Sequence, residues 1–279
     1  MPREIGLEIF DQKFREQLIY ANFNIRSDIR EYFNALSNKS NKDLEKKVVE
    51  VFVQNAELAS VENRAVCQDS GYVQVYLTIG NKVILNFVPD EEINRIVQEV
   101  YESNHLRKSI ADPIIRSNTR TNTPVMIHYD IVAGDELKVQ LLIKGGGSEN
   151  VTRAGFLLPT SKEDKIIDWV VESVRIADAK ACPPYILGVG IGGTLEKAVH
   201  YSKRLLLENL QYQSKEEDER YLSGAIIEKV NSLNIGFQGL HFGKTAIGVF
   251  VKKIACHIAT LPIAVSIGCN AVRQGEFII

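Results

Sequence analysis

At residue 71 the spacing of the apolar side chains changes, and that change limits the fold of this chain more than any other feature. Before it, residues 6 to about 60 read as mainly helical, with Leu44, Val48, Val49, Val51, Phe52 and Leu58 in a stripe at roughly helical spacing. After it, residues 72–79 and 83–88 are short runs rich in β-branched and aromatic side chains. Gly80-Asn81-Lys82 joins them, which predicts a hairpin. A second strand pair is expected at 125–132 and 137–143, around Ala133-Gly134-Asp135-Glu136. Between the pairs, Asp90 is expected to cap a helix opening at Glu91, with Ile93, Ile96, Val97 and Val100 on one face. Ser161-Lys-Glu-Asp164 announces another helix by its capping pattern. Residues 194–210 and 214–234 read as helices, the second stopped by Gly236; 185–189 and 261–268 read as strands, and 244–258 as a buried helix. The order predicts an α/β fold: a helical N-terminal section over about 1–60, then a mixed β-sheet with helices over about 61–279, forming a single domain over residues 1–279.

Bulk chemistry narrows the class. Thirty-three basic against 35 acidic side chains leave a formal charge of −2, which gives no reason to expect nucleic acid or an anionic membrane as partner. No apolar run approaches the roughly 18 residues of a membrane span. Met1-Pro-Arg-Glu-Ile lacks the basic-then-apolar pattern of a signal peptide, so a cytoplasmic location is expected, where thiols stay reduced. The four cysteines then read as packing, catalysis or metal ligation rather than as bridges.

Three of those cysteines share a setting. Cys67 lies in Val66-Cys-Gln-Asp-Ser-Gly71, a polar turn just before a strand. Cys182 precedes Pro183-Pro184, which forbids helix continuation and leaves the thiol at a corner. Cys269 follows the 261–268 strand and precedes Asn270. Cys256 instead falls in the expected apolar helix, where a reduced thiol behaves as a small hydrophobe. Loop and strand-end thiols suit ligands or nucleophiles, because a rigid scaffold can aim them at one cleft. Their spacing matches no compact Cys-x-x-Cys signature, so three unrelated cysteines remain an open reading.

The glycine-rich stretches also admit two readings each. Gly188-Val-Gly-Ile-Gly-Gly193 fits a dinucleotide fingerprint between strand and helix, and equally a tight turn with close backbone packing. Gly243-Lys-Thr245 imitates the end of a P-loop but lacks the required upstream glycine, since Gln238 stands there. Lys144-Gly-Gly-Gly-Ser-Glu-Asn150 offers consecutive backbone N–H groups, a nest for a carboxylate or phosphate, or else a flexible loop. His105, His128 and His200 read as ordinary surface or core residues, whereas His241 and His257 lie where either can reach a strand-end site. Arg107 and Arg116 are candidate carboxylate forks, because a guanidinium can grip a carboxylate through two bonds.

Taken together, Cys67-Gln-Asp-Ser-Gly71, Asn122-Thr-Pro-Val-Met-Ile-His128, the glycine run at 144–150, Cys182-Pro-Pro, Gly188-Val-Gly-Ile-Gly-Gly-Thr194 and the run from His257 to Cys269-Asn270 stand in one order. In these motifs the chain resembles the α subunit of the iron–sulfur (class I) fumarate hydratase and L(+)-tartrate dehydratase family, equivalent to the N-terminal half of its single-chain members. The resemblance implies a [4Fe-4S] cluster held by Cys67, Cys182 and Cys269, and a dicarboxylate bound by Gln68, Asp69, Arg107, Gly146 and His257. It also implies that the 188–193 glycines are structural. Ser70 stands where the family often has threonine, a conservative departure, and Arg107 is preferred to Arg116 on approximate spacing.

The implied activity is that of a hydro-lyase of the tricarboxylic acid cycle type, interconverting (S)-malate and fumarate, with L(+)-tartrate dehydration as the alternative. Asp69 is the catalytic candidate, as the ionisable side chain best placed to share proton transfer. A dinucleotide-binding module using residues 188–193 is a more distant reading. The implied partners are a separate β subunit, needed for activity, and a second copy of this chain in a hetero-oligomer.

Overall fold

The computed structural model describes residues 2–37 and 43–279, so the helical reading of 38–42 lies outside the described residues. The α/β expectation holds, and the chain folds into two compact units, each assembled from separate segments. The first comprises Met1–Arg30, Val51–Gly146 and Ala271–Ile279; the second comprises Glu31–Glu50 and Gly147–Asn270. Neither coincides with the helical or the α/β section of the sequence.

In the first unit, strands β2 (Tyr72–Gly80), β4 (Met126–Val132), β5 (Leu137–Lys144) and β10 (Arg273–Ile278) form one sheet in the order β10-β5-β2-β4. Only the β2–β4 pair is parallel. Val73, Val75 and Leu77 of β2 and Leu137, Val139, Leu141 and Ile143 of β5 keep the period of two that puts them on one buried face. Against that face pack helices α1 (Leu7–Phe23) and α4 (Pro89–Ser103). α1 contributes Phe10, Phe14, Leu18 and Ala21 at helical spacing; α4 contributes Ile93, Ile96, Val97, Val100 and Tyr101. Each of the larger of these, fully buried, contributes about 2 kcal/mol from its apolar area. Helix α4 opens with proline and three acids in its first turn, so Val88 rather than Asp90 is its N-cap. The Asp90 carboxylate instead accepts the Tyr129 hydroxyl.

Neither expected hairpin forms. The short β3 (Val83–Leu85) pairs in parallel with β1 (Arg3–Ile5), and β4 and β5 lie on opposite sides of β2 rather than against each other. The strands were located well enough, but their partners are distant in sequence and no local pattern names them. Helices α2 (Ser27–Ser37) and α3 (Asp43–Val61) complete the N-terminal helical section, and the one-turn α5 (Gly146–Glu149) follows β5.

The second unit has a four-stranded sheet in the order β6-β9-β7-β8, from β6 (Arg153–Leu157), β7 (Tyr185–Gly192), β8 (Ala246–Ile254) and β9 (Leu261–Gly268). The apolar run at 244–258 is therefore a strand and a following loop, not a helix. A short apolar run carries no usable period, and Ala-Ile-Gly-Val-Phe-Val is β-branched enough to extend. Helices α6 (Glu163–Ala177) and α8 (Glu217–Ser232) supply Ile166, Val170, Val174, Leu222, Ile226 and Val230 to the core beneath the sheet. Ser161 does not cap α6; Lys162 takes that position with no side-chain cap bond.

β7 runs straight through the glycine fingerprint. A Cβ on Gly188 would stand 2.0 Å from the Ser202 carbonyl oxygen, and one on Gly190 2.1 Å from that of Ala198. Those glycines exist so that α7 (Leu195–Arg204) can lie directly on the strand, which supports the packing reading over a phosphate cradle. Among the described residues no helix is long and apolar enough to cross a membrane.

Candidate active site

Four side chains of the first unit tie down the turn at residues 67–71, between α3 and β2. Gly71 adopts φ +62°, and a Cβ there would lie 2.5 Å from the Lys144 carbonyl oxygen, so only glycine fits. The half-buried carboxylate of Asp69 accepts the Gly71 N–H on Oδ1 at 2.9 Å and the Gly146 N–H on Oδ2 at 2.7 Å. The buried Ser70 accepts the Arg107 N–H on its hydroxyl at 3.1 Å and the Tyr101 hydroxyl on its carbonyl at 2.9 Å. Asn122, also buried, donates to the Gly71 carbonyl at 3.2 Å and accepts the Ser109 N–H at 2.7 Å.

This turn presents a half-buried Cys67 thiol, which donates to Gln68 Oε1 at 3.5 Å, and an exposed Gln68. Arg107 joins them: its backbone is anchored to Ser70 while its side chain is exposed. Arg116 is exposed too, but its N–H bonds to the Asp112 carbonyl at 3.1 Å, within its own loop, whereas Arg107 is tied to the 67–71 turn. The glycine run at 145–147 does present backbone N–H groups, and the one on Gly146 is already taken by the chain's own Asp69. Burial pushes the Tyr101 phenol up to about 12, against the pull of Arg273 and Asn22 and with a small push from Asp69.

The second unit gathers two thiols at one end of its sheet. Cys182, exposed and at φ +54°, precedes β7; Cys269, half-buried, follows β9. The antiparallel register sets Ile186 beside Gly268, so the start of one strand lies at the end of the other. The Cys182 carbonyl accepts the Asn270 N–H at 3.1 Å, and the Pro183 carbonyl accepts the Gln238 N–H at 2.9 Å. Tyr185, fully buried, donates its hydroxyl to the Asp178 carbonyl. Burial raises that phenol first, the Ala181 N–H that it accepts lowers it, and the neighbouring Cys182, Asp178 and Cys269 raise it again.

His257 is not brought to this end. Its loop precedes β9, whereas Cys269 follows it, so eight strand residues, about 26 Å, separate the two. There His257, Cys256, Thr260, Thr194, Lys197 and Phe156 line an open groove of about 690 Å³. Cys256 is exposed in that loop and donates its thiol to the Thr260 carbonyl at 3.1 Å; it is not the helix-buried hydrophobe expected of it. The exposed His241 bonds through Nδ1 to the Asn234 carbonyl at 2.8 Å.

None of the four cysteines is in a disulfide. As soft donors, Cys182 and Cys269 at one sheet end of the second unit have the chemistry of iron–sulfur ligands, as does Cys67 on the turn of the first. Among the described residues, no three His, Cys, Asp or Glu side chains gather into a ready-made metal group. Sequence reasoning missed Tyr101 and used Asn122 only as the head of a motif; the structure finds Asn122 buried at φ +60°, which no local sequence signal announces.

The first unit thus carries a thiol-and-carboxylate turn and the second a two-thiol strand end, each on its own α/β core. The chain belongs to the fumarate hydratase (Fumerase) family, which it matches over residues 11–278. It is 30% identical over 276 residues to a Methanocaldococcus jannaschii protein provisionally named as an L(+)-tartrate dehydratase subunit alpha, spanning 96% of this chain and 95% of that one. It is 27% identical to the L(+)-tartrate dehydratase subunit alpha of Escherichia coli O157:H7 and 26% to that of strain K12, each over 271 residues, 94% of this chain and 89% of the relative.

Proposed function

We propose that this chain is the cluster-bearing subunit of a hydro-lyase that adds water to, or removes it from, a four-carbon dicarboxylate, with (S)-malate and fumarate as the pair. The observation that carries the reading is the Asp69 carboxylate, seated on two backbone N–H groups two residues after a thiol. Cys67, Cys182 and Cys269 would hold a [4Fe-4S] cluster. The chemistry that group supplies when bound is Lewis-acid polarisation of a substrate hydroxyl, through an iron without a protein ligand.

The other roles follow from the side chains themselves. Asp69 keeps lone pairs beyond its two N–H bonds, and we assign it a share of the proton transfer at the carbon next to the hydroxyl-bearing one. Exposed Gln68 and Arg107, both anchored to the same turn, would hold substrate carboxylates, the arginine by a two-bond fork. The 145–147 nest adds backbone N–H groups beside them, with Gly146 reaching substrate only where Asp69 leaves room. His257 stands a strand's length from Cys269, so a carboxylate contact from it comes from a second copy of the chain. The relatives' names as subunit alpha support a separate β subunit that completes the site. A cytosolic location suits thiols that must stay reduced.

The names of those relatives favour a second substrate reading, L(+)-tartrate. The test is to rebuild the cluster anaerobically, add the β subunit, and compare turnover of (S)-malate and L(+)-tartrate. Dehydration of either supports a hydro-lyase, and the faster substrate decides between the readings. No iron, no sulfide and no turnover would defeat both.

A further inference from the structure

Arg273 opens β10 opposite Ile143 of β5, and it is the largest of the fully buried side chains, only 2% exposed. Its Nε and Nη1 are closed to solvent and bond to nothing among the described residues, and no carboxylate there forms an ion pair with it. A guanidinium stays protonated at any working pH, and taking one out of water unpaired is strongly unfavourable. A fold that keeps such a group gains something from its field, since two of its three nitrogens are sealed against any incoming ligand.

Its position says what that gain is. A methyl group on Gly145 would stand 2.8 Å from Asp69 Oδ2 and 3.7 Å from Arg273 Nη2, so the carboxylate and the guanidinium border one small space that Gly145 keeps clear. Tyr101, which bonds to the Ser70 carbonyl, feels both charges, which sets them around the same ring. With the guanidinium buried and the carboxylate half-buried, the positive charge acts on the carboxylate more strongly than it would in water.

We propose that Arg273 is a positioning residue that acts through Asp69: its buried charge holds the Asp69 carboxylate on the N–H groups of Gly71 and Gly146, and so fixes the turn that begins at Cys67. The geometry stands by itself, and only the activity readout below rests on the hydro-lyase reading.

The test compares R273M and R273K with the parent chain. Hydrogen exchange on the full-length chain reads the Gly71 and Gly146 amides directly. In R273M these two should exchange at least tenfold faster, with the β2–β5 ladder amides unchanged. The melting temperature should hold or rise, because a buried unpaired charge has gone. R273K, which keeps the charge, should restore the protection. With the cluster rebuilt and the partner present, R273M should lose about tenfold in kcat with KM within twofold. Unchanged Gly71 and Gly146 exchange in folded R273M would overturn the proposal, as would a fall in melting temperature with general loss of protection, the mark of a merely structural arginine. Should R273M fail to fold, R273K decides: protection kept supports the proposal, and protection lost overturns it. Inactivity of the parent chain would count against the hydro-lyase reading alone, leaving the exchange result to judge Arg273.

Discussion

The turn at 67–71 and the strand ends at 182 and 269 both present thiols, but they are held in opposite ways. In the first unit a web of side-chain bonds does the holding: Asp69 on two backbone N–H groups, Ser70 on Tyr101 and Arg107, Asn122 on Gly71. In the second the sheet itself sets Cys182 beside Cys269 through the β7–β9 register, with one backbone bond from Asn270 as a clasp. A web of side-chain bonds sets the direction of each group it touches, whereas a strand ladder fixes the spacing of its ends through the backbone alone.

The largest effects should come from the three cysteines proposed as ligands. Cys182→Ser, Cys269→Ser and Cys67→Ser should each abolish cluster assembly, read as iron and sulfide content of anaerobic protein, while far-UV circular dichroism stays that of the parent. A Cys182→Ser chain that kept full iron would break the comparison at its second half. Next comes the web. Gly71→Ala forces a Cβ onto the Lys144 carbonyl at a positive φ, and should destabilise the chain by about 2–3 kcal/mol in urea unfolding. Asn122→Ala leaves the Ser109 N–H and the Gly71 carbonyl without their buried partner, and should lose about 2 kcal/mol. Its activity should fall further than its stability suggests, since the loop carrying Arg107 loosens; equal activity would show that the web is only structural. The smallest effect belongs to Cys256→Ala. An exposed loop thiol with one bond to a carbonyl should change stability by no more than about 0.5 kcal/mol and leave the iron content alone.

The same contrast governs what could be read from residues alone. The turn and strand-end settings of Cys67, Cys182 and Cys269 were legible because glycine, proline and strand ends flank them, and those signals are local. The α/β class and most strand positions were legible for the same reason. Strand partners were not: β2 lies between β4 and β5, and no turn of sequence announces that arrangement. Nor was β8, whose unbroken apolar run fits helix and strand alike, and with it went the expected burial of Cys256. Asn122 works on a carbonyl 51 residues away, and Arg273 acts across Gly145 without any bond, so neither leaves a mark at its own position in the chain.

The first unit borrows its edge strand from far along the chain, and this has a consequence for how the protein is made. On the ribosome, α1, α4, β2, β4 and β5 all emerge before residues 147–270, and β10 only after them. Until then the outer side of β5 stays an open edge, and the space that Gly145 keeps clear beside Asp69 lacks Arg273. Synthesis therefore has to complete the second unit's residues before the first can close, so a nascent chain stalled before residue 273 would expose a sticky strand and call on chaperones.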